Sequence, residues 1–226
     1  MKLLSALLIL LSAAITTQAQ EIQTLFGRGS STSGYMAFSN KFTTISGDYA
    51  NLSEVYGGVF INRRWMIGMG VAASTNDIRV PQQHSVSPLQ PMTYQYGQGG
   101  LMLERVIKSN RSIHLVVNMF SGVGFTAQYH RPQWDEWDDW DDFDDISGHD
   151  QNWFYVLEPG AQLEMNLFRW LRFSPGISYR KTYGSNGLGL SDNDLSNWSY
   201  NLTLKIGGFG KRNREPHRHS TEVISN

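Results

Sequence analysis

Cysteine is absent from the 226-residue chain. That excludes a disulfide-stapled secreted mini-domain and, because lipid attachment at an export cleavage point needs a thiol, a lipoprotein. Beyond Ala19 the chain also lacks any uninterrupted apolar stretch of about eighteen residues, so no transmembrane helix can be drawn. Common catalytic signatures are missing too: there is no G-x-S-x-G, H-E-x-x-H, phosphate loop or dinucleotide fingerprint. No cofactor and no nucleic-acid partner is expected. Any membrane crossing has to be made by strands.

The N-terminus carries Lys2, an apolar run from Leu3 to Ile15 and the small-residue sequence Thr17-Gln18-Ala19 before Gln20. This is the pattern of an export signal, too short to anchor the chain in a bilayer. Residues 1–19 are therefore expected to be removed and the mature chain to leave the cytoplasm.

The formal net charge of -1 hides a segregation. Within "QWDEWDDWDDFDDISGHD", Gln133 to Asp150, the segment Trp134 to Asp145 alone holds eight of the twenty acids, Asp135, Glu136, Asp138, Asp139, Asp141, Asp142, Asp144 and Asp145, interleaved with Trp134, Trp137, Trp140 and Phe143. The other twelve acids face nineteen Lys and Arg. Acid and base belong on separate surfaces.

Hydrophobicity alternates with a period of two. From Ile113, the residues Ile113, Leu115, Val117, Met119, Val123, Phe125 and Tyr129 alternate with His114, Asn118, Gly122, Gly124, Thr126 and Gln128. From Trp153, the residues Trp153, Tyr155, Leu157, Ala161, Leu163 and Met165 alternate with Glu158, Gly160, Gln162, Glu164 and Asn166. Leu171, Phe173, Ile177 and Tyr179 alternate with Arg172, Ser174, Ser178 and Arg180. This is strand periodicity, in runs longer than the five or six residues usual in soluble sheets.

Eight such segments are predicted: Gly34–Ile45, Asp48–Asn62, Trp65–Thr75, Tyr94–Ile107, Ser112–Tyr129, Asn152–Leu167, Trp170–Tyr183 and Trp198–Gly210. The connections after the second, fourth and sixth are tight, and those after the third, fifth and seventh are long; only Ser46-Gly47 breaks the alternation. Short turns at one rim and long loops at the other suit an eight-stranded antiparallel up-and-down transmembrane β-barrel, with its termini on the periplasmic side. Aromatics form two belts, Tyr35, Trp65, Phe168 and Trp170 at the short-turn end and Tyr129, Trp153, Tyr155, Tyr183, Trp198 and Tyr200 at the long-loop end.

The run "SGYMAFSNKFTTISGDYANLSEVYGGVFINRRWMIGMG", Ser33 to Gly70, resembles the opening strands of small outer-membrane barrels of Bacteroidota, and the layout to Gly210 is similar to OmpA/OmpX-like barrels. The resemblance implies an envelope-spanning barrel in the outer membrane, in contact with its lipid. It also implies a terminal aromatic at the end of the barrel, whereas here Phe209 is followed by a polar tail from Lys211 to Asn226. The expected divisions are a signal peptide 1–19, a periplasmic segment 20–33, the barrel 34–210 and a periplasmic tail 211–226.

If the apolar faces look outward, Lys41, Glu54, Glu104, His114, Glu158, Glu164, Arg172, Arg180 and Lys205 lie in the lumen. Four acids and four bases with one histidine are expected to pair off and plug the barrel, Glu164 with Arg172 and Glu158 with Arg180, leaving no open pore. The acidic loop falls on the cell-surface side. Its spacing does not match an EF-hand, so no discrete metal site is expected; the eight acids from Asp135 to Asp145 are candidates for diffuse binding of divalent cations or of a basic or glycan partner. An outer-membrane lipid-modifying enzyme and a soluble lipocalin-like carrier, with its apolar faces turned inward, are the alternatives. Against the enzyme, the one Ser and His spaced two apart on a strand, Ser112 and His114, are expected to point inward at the periplasmic end. His130 and His149, at the right rim, lack a tied serine. Charge placed at Val117 or Leu163 is expected to impair assembly, and at Gln128 to be tolerated.

Overall fold

The computed structural model describes residues 32–62, 64–89, 91–108, 111–130 and 149–209. The expected signal peptide 1–19, the segment 20–31, the acidic stretch Trp134 to Asp145 and the tail 211–226 lie outside those residues.

Side-chain chemistry and burial alternate together along each long strand. In the fifth, Ile113, Leu115, Val117 and Met119 are exposed, while His114, Val116, Asn118 and Phe120 are buried. A soluble sandwich would leave the charged and polar strand residues in water; here they are inside, with apolar residues such as Val116 and Phe120 packed among them, while a continuous set of large apolar side chains is left outside. Eight long strands share this apolar outer face: β1 (Thr32–Ile45), β2 (Asp48–Ile61), β3 (Trp65–Ser74), β4 (Met92–Ile107), β5 (Ile113–His130), β6 (His149–Asn166), β7 (Leu171–Tyr183) and β8 (Asn197–Gly207). Each pairs antiparallel with the next, and β1 pairs with β8 from Tyr35↔Gly207 to Phe42↔Tyr200. The sheet is thus a closed eight-stranded all-β barrel with no free edge.

Where strands approach most closely, glycine faces glycine. A Cβ on Gly58 would lie 2.2 Å from the Ile67 carbonyl oxygen, and one on its partner Gly68 would lie 2.0 Å from that of Gly57. Gly100 and Gly122 repeat the arrangement between β4 and β5, at 2.4 Å from Ser121 and 2.2 Å from Gly99. Only residues without a side chain allow that approach.

The rims follow from the connections. The connections between β2 and β3, β4 and β5, and β6 and β7 are the short ones and lie at one end, with Asn62 and Lys108 in the left-handed region at φ 53° and 59°. At the other end Ser46-Gly47, at φ 52° and 84°, forms a two-residue hairpin turn whose twist matches its strands. The 75–91 loop adds Ile78–Arg79 to the edge of β4 and a turn of 3₁₀ helix at Gln82–His84. The 184–196 loop holds a miniature hairpin, Asn186–Gly187 with Leu190–Ser191, and a one-turn helix α1 (Asp192–Leu195) closed by a Ser191–Asp194 capping box.

Three details differ from the sequence expectation. β6 begins at His149 rather than Asn152, because a bulge between Thr126 and Gln128 lets the pairing continue to Gln128↔His149. β8 ends at Gly207 rather than Gly210; Gly208 still donates to the Gly34 carbonyl, and Phe209 then turns inward and is buried. Tyr35 is not part of the outer belt. It shares the parity of Ala37, Ser39 and Lys41 and points into the lumen.

Candidate functional site

The lumen is where the charged strand residues meet. Lys41, Glu54, Glu104, His114, Glu158, Glu164, Arg172, Arg180 and Lys205 are all buried there, none more than 7% exposed. At the short-turn end, Lys205 Nζ lies 3.0 Å from both Glu104 oxygens and 2.9 Å from Glu164 Oε2. Glu104 also accepts hydrogen bonds from the Tyr35 and Tyr56 hydroxyls, the latter at 2.9 Å. Glu164 is contacted by His114 Nε2 at 2.8 Å and is ion-paired with Arg172. The Arg172 guanidinium in turn sits 3.6 Å above the Phe209 ring, which packs 5.4 Å from Tyr35 and 6.4 Å from Phe60. The lower mouth is filled by aromatic rings and a paired cation.

A second cluster lies farther up. Lys41 Nζ is 2.7 Å from Glu54 and 2.8 Å from Glu158, and Glu158 accepts from Ser178 at 2.6 Å and from Gln98 at 3.2 Å. Arg180 is not the ion-pair partner of Glu158. It reaches upward, donating to the Leu195 carbonyl at 2.7 Å and the Thr44 carbonyl at 3.3 Å, with its guanidinium 4.7 Å over Tyr96. Long guanidinium side chains satisfy backbone oxygens at loop ends as readily as carboxylates, and strand parity alone cannot see α1.

The upper mouth is covered by two loops tied to inward side chains. Gln128, fully buried, donates to the His84 carbonyl at 2.8 Å and accepts from Val86 N–H at 3.1 Å. Asn152 donates to Ser185 Oγ at 2.9 Å and accepts from Asn186 N–H at 3.1 Å. Asp150 accepts from Leu188 N–H at 2.7 Å, and the Tyr94 hydroxyl donates to the Leu188 carbonyl at 2.7 Å. None of these four is singled out by the sequence as a loop anchor. Their one visible signal is that polar residues keep the inward parity of their strands beyond the charged clusters.

The cap reverses the expectation for Gln128. Gln128→Glu removes the donor to His84 and sets a carboxylate against a carbonyl oxygen in a buried position. It is expected to lower the denaturant midpoint by an amount equivalent to about 1 to 3 kcal/mol, read by tryptophan fluorescence in detergent. An unchanged midpoint would mean that the cap adds nothing to stability.

The Ser112 and His114 pair does not form. Ser112 lies exposed in the turn ahead of β5, while His114 is buried against Glu164. His130 is exposed at the far rim. Among the described residues no group of three or more His, Asp or Glu could hold a metal ion, and no helix is long and apolar enough to cross a membrane. The eight acids of the loop, Asp135 to Asp145, fall outside the described residues.

A closed antiparallel eight-stranded barrel with apolar residues outside and paired charges within is the class that this geometry defines. No family model matches the chain, and no curated protein does. Among solved structures, that of Neisserial surface protein A is similar over 79% of this chain and 99% of its own, with a TM-score of 0.55 at 6% identity. Ail, the attachment invasion locus protein of Yersinia pestis, aligns over 80% and 99% with a TM-score of 0.45 at 12% identity. A major outer membrane protein of Thermus thermophilus aligns over 77% and 99%, also at 0.45, with 10% identity. At such identities the likeness to the Neisserial protein establishes the barrel fold and nothing finer.

Proposed function

We propose that this chain is an outer-membrane barrel, exported by a cleaved signal peptide at residues 1–19, that works as a structural or surface-interaction protein through its long loops and has no enzymatic activity. The observation that carries the reading is the apolar outer face. Met69, Val71, Leu101, Val123 and Leu163 are exposed on the outer surface, between Trp65, Phe168 and Trp170 at one rim and Trp153, Tyr183, Trp198 and Tyr200 at the other. Apolar side chains in a continuous band with rings at both edges suit a hydrocarbon core between two interfaces. The lipocalin-like carrier is disfavoured, because the inside of this barrel holds the ion pairs of Lys41, Glu54, Glu158, Glu104, Glu164 and Lys205, and large apolar side chains cover the outside.

The likeness to outer-membrane barrels and the resemblance of Ser33 to Gly70 to those of Bacteroidota support the same placement. In this reading the acidic stretch Asp135 to Asp145 faces the cell exterior, where its charge recruits divalent cations or basic or glycan partners. The packed lumen and the two covered mouths support a barrel without an open pore.

The test is gel mobility of the detergent-extracted membrane fraction, unheated and boiled. A heat-dependent shift in an outer-membrane fraction is the expected result. Recovery in the soluble periplasm with no shift would overturn the reading.

A further inference from the structure

Charge on the outside of the barrel is not evenly placed. Each of the three tight turns at the rim opposite Ser46-Gly47 carries exposed cations: Arg64 between β2 and β3, Lys108 and Arg111 between β4 and β5, and Arg169 between β6 and β7. Arg105 joins them from the outer face of β4, with its guanidinium 5.1 Å over the ring of Trp65, its register partner on β3. Phe168 and Trp170 stack beside Arg169 with centroids 5.8 Å apart and an interplanar angle of 10°. Among the described residues the carboxylates at this end are Glu104 and Glu164, both buried in the lumen and held by Lys205. No described acid faces these cations from outside.

The opposite rim has the reverse balance. Asp48, Asp77, Asp150, Asp192 and Asp194 lie there, against Arg79 and the partly buried Lys181. The two ends of one barrel thus present opposite fields.

We propose that the short-turn rim is a headgroup collar for anionic phospholipid. The guanidinium and ammonium groups of Arg64, Arg105, Lys108, Arg111 and Arg169 engage lipid phosphates, and Trp65, Phe168 and Trp170 set the depth of the barrel in that leaflet. The inference rests on the membrane-barrel reading and names the lipid class met at one interface. Three features carry it. The cations recur on all three turns, so they encircle the barrel and do not form a single protein-sized patch. Rings lie next to them, as at a membrane interface, where amphipathic side chains sit at headgroup level. A cation near an anionic bilayer surface gains enough attraction to favour binding about fivefold each, and guanidinium groups bind phosphate through paired donors.

The experiment inserts the purified protein into vesicles of phosphatidylcholine mixed equally with phosphatidylglycerol. Insertion is verified by the heat-dependent mobility shift, and the lipids retained by the released barrel are counted by native mass spectrometry. The expected result is retention of phosphatidylglycerol over phosphatidylcholine by about tenfold or more, falling as salt is raised. Combining Arg64→Gln, Arg105→Gln, Arg111→Gln and Arg169→Gln should bring the ratio towards parity, while Arg79→Gln at the other rim leaves it unchanged.

Equal retention of both lipids by an inserted wild-type barrel overturns the collar while leaving the membrane reading standing. Failure to insert into any vesicle, with the protein soluble and folded, overturns both. If the preference survives the fourfold variant but disappears when residues 211–226 are removed, the lipid is held by the tail and the collar is refuted. Because the wild-type measurement and its salt dependence decide on their own, a variant that misfolds does not shelter the proposal.

Discussion

Replacing Lys205 with methionine is expected to cost about 3 to 5 kcal/mol of stability, one of the two largest effects predicted for a single substitution in this barrel. Its ammonium is the common cation of Glu104 and Glu164, at 3.0 Å and 2.9 Å, and is almost fully buried. Without it the direct hydrogen-bond donors to Glu104 among the described residues are the hydroxyls of Tyr35 and Tyr56, while Glu164 keeps Arg172 and His114. Hydroxyl groups solvate a carboxylate but do not neutralise it. Adding Glu104→Gln to Lys205→Met should therefore recover much of the loss, since removing both charges of a buried pair is far milder than removing one. Urea unfolding in detergent micelles, followed by fluorescence, gives both numbers. A single variant as stable as the wild type would show that the cluster tolerates a bare carboxylate and that its pairing is incidental.

The second large effect lies on the outer surface. Leu101 is near the middle of β4, is highly exposed, and has Met69 and Ser121 as register partners. Leu101→Arg is expected to cost about 2 to 4 kcal/mol in a bilayer, the range for a cation at the midplane of a barrel's lipid face. At Leu163, close to the short-turn end of β6, the same change should cost less, because a long side chain there can reach the interface. Val117 is intermediate: it lies opposite Arg105, so a new cation there also meets like charge. Insertion yield into vesicles, scored by the unheated gel band, ranks the three. Equal yields for Leu101→Arg and wild type would mean that this face does not contact hydrocarbon.

Much of the barrel is legible because its signal has the period of the strand itself. In β5 and β6 apolar and polar positions alternate over most of their length, so one phase assignment per strand places Glu158, Glu164 and His114 inside together. The same parity places Tyr35 inside, in phase with Ala37, Ser39 and Lys41. Assigning it to the belt because it is an aromatic near a rim ignores that phase. Pairing is legible only where the chain is local. Glu164 and Arg172 flank one tight turn and meet, whereas the contacts of Lys41 with Glu158 and of Lys205 with Glu104 span 117 and 101 residues. Such contacts depend on how the cylinder closes, and no spacing rule reports that. The cap is illegible for a related reason. Gln128, Asn152 and Arg180 bind backbone groups of loops, and backbone groups carry no sequence identity.

The position of Lys205 on the final strand also bears on how the barrel forms. Among the described strands β8 is the last in chain order, and it closes against β1, the first, so the seam forms by joining the two ends of the sheet. Until it arrives, the carboxylate of Glu104 on β4 lacks its direct ion-pair partner and is solvated by water in the open interior. Closing the cylinder without β8 in register would bury that carboxylate without its ammonium, which penalises misclosed forms and favours a single late, concerted closing step. Contacts of such long sequence separation are slow to form. The charge cluster that plugs the lower mouth should then also act as the latch of folding, with Lys205→Met lowering the closure rate as well as the final stability.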